Sequence, residues 1–124
     1  MYLYYFPAPT EGLEGFCPVT LAESSQWQNG LPKYVAVHQG QRYNFAGPQE
    51  FEKFVAAPEK YAPVLRGIDC IELLENNASI PGKRECGVFY NGRIYLFESE
   101  ANLNKFSQGP DPYERKVSQA ESVR

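Results

Sequence analysis

The chain aligns with itself. Shifted by 52 residues, positions 15–61 lie over 67–113 without a gap, and eleven of the 47 pairs are identical. Unrelated stretches of ordinary composition would share about three. The identical pairs are Gly15/Gly67, Leu21/Leu73, Glu23/Glu75, Gly30/Gly82, Gly40/Gly92, Tyr43/Tyr95, Phe45/Phe97, Lys53/Lys105, Phe54/Phe106, Pro58/Pro110 and Tyr61/Tyr113. Most are glycine, proline or aromatic, the residues that fix turns and fill cores, so the copied object is a unit of folding. A chain of 124 residues has room for one domain, or for two very small ones that share a core.

Each copy reads as a β-hairpin followed by a helix. In the first, the β-rich run Tyr34–His38 turns at Gln39-Gly40 into Arg42–Phe45. In the second, Val88–Tyr90 turns at Asn91-Gly92 into Ile94–Phe97, and Asn-Gly is the strongest two-residue hairpin signal because both residues tolerate positive φ. Tyr43 with Phe45, and Tyr95 with Phe97, share one face of their strands by the period of two. Pro48 at a first helical position and Ser99 as an N-cap open the helices that follow. Phe51, Phe54 and Val55, echoed by Leu103 and Phe106, form the buried stripe of those helices. Pro58 and Gly109-Pro110 end them.

The segments Cys17–Leu21 and Asp69–Leu74, ahead of the hairpins, read as a short turn of helix or an irregular strand. The expected fold class is α+β: two pseudo-symmetric ββα-like units packed as one globular domain. The expected boundaries are an N-terminal arm at 1–14, a first unit at 15–63, a second at 67–113, and a frayed polar tail at 114–124. The short, partly apolar linker around Pro63 holds the two units together.

Composition narrows the function. A net charge of −3 and a pI near 5.2 leave no basic stripe for nucleic acid, and Lys83-Arg84 is flanked by Glu85. No apolar run is long enough to cross a membrane. The apolar start, Met1–Phe6, is broken by Pro7 and Pro9 and lacks a basic lead-in, so it reads as an edge strand or packing arm and not as a signal peptide. Three cysteines, Cys17, Cys70 and Cys86, with one histidine, His38, cannot close a four-thiolate zinc site.

With these residues in view, the chain resembles the YHS domain, twice over. The carrying motifs are Gly40-x-x-Tyr43-x-Phe45, Phe54 and Pro58-Glu59-Lys60-Tyr61, repeated as Gly92-x-x-Tyr95-x-Phe97, Phe106, Pro110 and Tyr113. Cys17-Pro18-Val19 and Asp69-Cys70-Ile71 are similar to the family's Asp-Pro-Val start. The resemblance covers nearly all of 15–113, and implies tandem segments of the kind found beside thioredoxin-like domains in exported bacterial proteins, hence an extracytoplasmic setting. Metal-binding members carry a cysteine just after that start and a Cys-x-x-x-Cys after the Tyr-x-Phe strand. Here those places hold Thr20 and Glu72, then Ala46 and Glu50, then Glu98 and Asn102. The oxygen set Glu72, Glu98 and Asn102 would suit only a hard ion, and weakly.

The functional expectation is a non-enzymatic accessory or protein-interaction module, part of a larger protein, with another protein or a neighbouring domain as partner and with no cofactor and no metal. Two alternatives stay open: a copper- or zinc-handling domain with non-standard ligands, and a thiol-redox auxiliary using Cys17. Cys17 and Cys70 are candidates for free thiols or for a disulfide across the two start segments. Trp27, in the polar loop 24–30, and His38, at the end of a strand, are candidate surface contacts. Acid pairs such as Asp69/Glu72 and Glu98/Glu100 carry no specific catalytic signal.

Overall fold

The computed structural model describes residues 9–122; the apolar arm expected at the start therefore lies, at positions 1–8, outside the described residues. The described residues fold as a small mixed α+β domain of six α-helices and two small sheets. In order these are β1 (Thr10–Glu11), α1 (Pro18–Ser24), β2 (Leu31–His38), β3 (Gln41–Phe45), α2 (Pro48–Ala56) and α3 (Pro58–Tyr61). There follow α4 (Cys70–Asn76), β4 (Lys83–Tyr90), β5 (Arg93–Phe97), α5 (Glu100–Gln108) and α6 (Pro110–Ser122). β1, β3 and β2 form one sheet, with β1 parallel to β3, and β4 and β5 form the other.

The spacing of 52 recurs in local geometry. Both hairpins turn through two residues of positive φ, Gln39-Gly40 and Asn91-Gly92, which matches the right-handed twist of the strands they join. Both register shifts fall at matching places, between Leu31 and Val35 and between Lys83 and Gly87. Isolated bridges pair Phe16 with Asn29 and Ile68 with Pro81. Gly30 and Gly82 are required by close approach: a Cβ there would lie 2.3 Å from the backbone of Asn44 and 2.4 Å from that of Leu96, respectively. The recurrence starts earlier than Gly15 and Gly67. Leu13-Glu14-Gly15 and Leu65-Arg66-Gly67 each run through three consecutive residues of positive φ, a left-handed turn that non-glycine residues enter only at a cost.

The start segments resolve as helices. The Cys17 thiol accepts from the Thr20 amide at 3.5 Å to cap α1, with Pro18 at its first turn, and the Asp69 carboxylate caps α4. Ser25 and Asn77, both left-handed, close them. Two further helices depart from the expectation. Pro58 ends α2 but also opens the short α3, and the stretch 114–124, expected as a frayed tail, is helical as far as Ser122. Its packing is carried by few groups. Val117 is buried, Tyr113 packs beside it, and Glu121 accepts from the Leu65 amide at 3.1 Å and from both terminal nitrogens of Arg93.

The core divides in two. Leu13, Cys17, Val19, Leu21, Tyr43, Phe45, Phe54 and Tyr61 make one cluster; Val64, Leu65, Cys70, Ile71, Tyr95, Phe97, Phe106 and Val117 make the other. β5 belongs to both. Alternation along the strand sends Ile94 and Leu96 into the first cluster and Tyr95 and Phe97 into the second. The linker around Pro63 is buried rather than extended between bodies, with Ala62, Val64 and Leu65 all in the core.

Candidate functional site

The densest polar arrangement sits where α4, the end of β5 and the start of α5 meet. Asp69 is fully buried, and four donors satisfy its carboxylate. Oδ1 accepts from the amides of Ile71 (2.8 Å) and Glu72 (3.2 Å). Oδ2 accepts from the amide of Glu98 (2.8 Å) and from the side-chain amide of Asn102 (2.9 Å). The same Asn102 nitrogen donates to Glu72 Oε2 at 2.8 Å, while Asn76 donates to Glu72 Oε1 at 3.0 Å. These bonds, Asn102's first and Asn76's second, hold the Glu72 carboxyl below the usual carboxylate range.

Glu72 and Asn102 of the expected oxygen set are thus brought together, while Glu98 joins through its backbone N–H. The Asn102 nitrogen is a donor with no lone pair to offer a cation, and it stands between the two carboxylates. In the first half the matching places hold Cys17, Thr20, Ala46 and Glu50, and the cap there is a thiol rather than a carboxylate. Among the described residues no group of three or more His, Cys, Asp and Glu side chains is placed to hold an ion.

The thiols do not meet. Cys17 and Cys70 are both free and buried, each in a different core cluster, so the cross-link considered between them is not formed. Burial, with the Asp69 carboxylate beside it, pushes the Cys70 thiol up to about 12, the opposite of what a nucleophile or redox thiol needs. Cys86 is partly exposed and also free.

His38 and Trp27 each line a cleft. His38 packs edge-on against Phe54 at 5.9 Å, and with Glu59, Arg93 and Glu121 it borders a polar cleft of about 340 Å³ against α6. At the matching places of the second half, Tyr90 hydrogen-bonds Asp111. Trp27 borders a second, smaller cleft of about 150 Å³, formed where the two left-handed turns face each other. Its ring stands edge-on to Phe16 at 5.5 Å, and the Arg84 guanidinium lies 4.6 Å from the Phe16 ring and 5.6 Å from that of Trp27. The loop that carries Trp27 is therefore both a cover on the first core and a contact with the second half.

Sequence reasoning read Asp69 as an ordinary acid and Arg84 as part of a flanked basic pair, and missed Arg66 and the Arg93–Glu121 pair. The spacing Asp69-x-x-Glu72 just before an apolar run is a helix-start signal and could have found the first. The arginines carry no motif. Only the fold brings them to a shared surface.

No family model matches the chain, and no solved structure matches it. A curated protein that it resembles is adenylate kinase 9 of Mus musculus, 26% identical over 136 aligned positions that take in 79% of this chain. The matched segment is 7% of that protein's length.

Proposed function

We propose that this chain is a non-enzymatic accessory or interaction module built from two degenerate, pseudo-symmetric YHS-type units, and that it serves as part of a larger protein. The observation that carries the reading is the Asn102 amide. It fills the space between Asp69 and Glu72 and spends on a structural clasp the groups that could otherwise have bound an ion. Burial of Cys17 and Cys70 in separate clusters speaks against the redox alternative in the same way.

The likeness to adenylate kinase 9 takes in too small a share of that protein to carry its activity to this chain. The phosphate-cradling pattern GxxxxGK[ST] is also missing from the sequence. The single Gly-Lys pair, Gly82-Lys83, has Asn77 where the first glycine would stand and Arg84 where the hydroxyl residue would stand.

Two assays on the purified chain test the reading. Protein from cells grown with added copper and zinc is expected to contain neither at stoichiometric level, and to transfer no phosphoryl group between ATP and AMP. One ion per chain by elemental analysis, or turnover that survives removal of contaminating kinases, overturns it.

A further inference from the structure

The structure assigns the smaller cleft, the one Trp27 borders, as an acceptor for an acidic side chain on an extended segment of a partner protein. This deepens the module reading above and rests on it. Arg66 and Arg84 both line the cleft, and among the described residues neither makes an ion pair or a side-chain hydrogen bond. Arg42 and Arg93 differ in this respect, being paired with Glu11 and Glu121.

Arg66 is carried by the left-handed turn beside Gly67, and the Arg84 guanidinium packs by the rings of Phe16 and Trp27, contacts that use no N–H hydrogen bond. Two guanidiniums offer the planar donor pattern that a carboxylate accepts. Trp with Arg is also the composition of an anchoring pocket at protein contacts.

Two acids line the cleft as well. Glu11 is paired with Arg42 at 3.9 Å, and Glu14, which makes no ion pair or side-chain hydrogen bond among the described residues, can accept a backbone N–H from an extended segment. At about 150 Å³ the cleft holds one side chain and no more. Charge complementarity thus selects a segment whose aspartate or glutamate enters between the arginines while its backbone runs along Glu14.

Trp27 is the single tryptophan, so its fluorescence reports occupancy. The full chain is titrated with capped heptapeptide pools whose central residue is fixed as Glu, Asp, Gln or Asn. The acidic pools are expected to shift the emission saturably, and the amide pools to bind at least about tenfold more weakly. Arg66→Lys and Arg84→Lys keep the charge but lose the fork, and each is expected to weaken the acidic pools by a similar factor with the melting curve unchanged.

Equal response to the amide pools overturns the assignment, as does undiminished binding by both lysine variants. A response confined to inorganic phosphate or ATP overturns it too. Photoreactive groups placed at Pro81, on the cleft, and at Val37, on the exposed outer face of β2, separate the two readings. Partner adducts at 37 with none at 81 sink the cleft and leave the module reading standing. Adducts at neither position sink both.

Discussion

The amide of Asn102 donates to two carboxylates at once, and changing it to aspartate separates shape from hydrogen bonding. Asn102→Asp keeps the volume, removes both donations and adds a third carboxylate beside Asp69 and Glu72. A loss of about 3 kcal/mol in urea unfolding at pH 7 with chelator present is expected, since a buried carboxylate is left short of donors among like charges. Millimolar calcium should restore part of that loss, because three clustered carboxylates suit a hard cation. Asn102→Ala should lose stability without any response to calcium. If Asn102→Asp proves as stable as the parent chain in chelator, the clasp has no energetic role. At this scale the sequence was only half legible. The family resemblance grouped Glu72, Glu98 and Asn102 as one expected oxygen set, but which atom donates and which accepts is set by rotamers that no motif records. Asp69 was passed over because a cap and a surface acid look alike until burial is known.

Each half has its helices joined by one clamp of three residues, and the six residues of the two clamps are identical pairs at the 52-residue spacing. Glu23 accepts from Lys53 and Tyr61, both at 2.9 Å; Glu75 accepts from Lys105 and, at 2.9 Å, from Tyr113. The bond from lysine first, and the tyrosine hydroxyl second, lower both carboxyls from their ordinary 4.5. A carboxyl whose folded pKa lies below its unfolded one contributes stability that is complete above the unfolded value and is lost as pH falls through the folded one. Stability should therefore decline below about pH 4.5, the decline shrinking with added salt since the lysine–glutamate pair of each clamp is solvent-exposed. Glu23→Gln and Glu75→Gln should each flatten this acid limb in melting temperatures measured from pH 6 to pH 2.5. An acid limb unchanged in the double variant would show that other carboxylates set it. Both hairpins and the helices α2 and α5 were legible because glycine turns and the i, i+3 pairs Phe51/Phe54 and Leu103/Phe106 carry them, whereas Val55, expected in the buried stripe of α2, lies exposed. α6 was not, since its buried face rests on Tyr113, Val117 and the half-buried Ala120, a sparse stripe within a charged segment.

At the scale of the molecule, the two halves are unlike where they meet. β3 alternates, with Tyr43 and Phe45 buried and Arg42 and Asn44 half-exposed, whereas β5 is buried on both faces over Ile94–Phe97. The difference was written in the sequence: Ile94 and Leu96 stand where the first half has Arg42 and Asn44, and a continuous apolar run marks a strand covered on both sides. Because β5 supplies side chains to both clusters, neither cluster is complete without it, and the halves should unfold together. Trp27 fluorescence follows the first half, and pulsed alkylation of the buried Cys70 follows the second. Their urea transitions are expected to coincide at one midpoint. Leu96→Asn, which installs the residue found at the matching position, should cost about 3 kcal/mol through lost apolar burial and a buried amide without partners. The decisive feature is that this variant, altered on the face of the first cluster, should move the Cys70 transition as far as the Trp27 transition. Were only the Trp27 signal displaced, the two clusters would be separate folding units, and one half would be able to stand without the other.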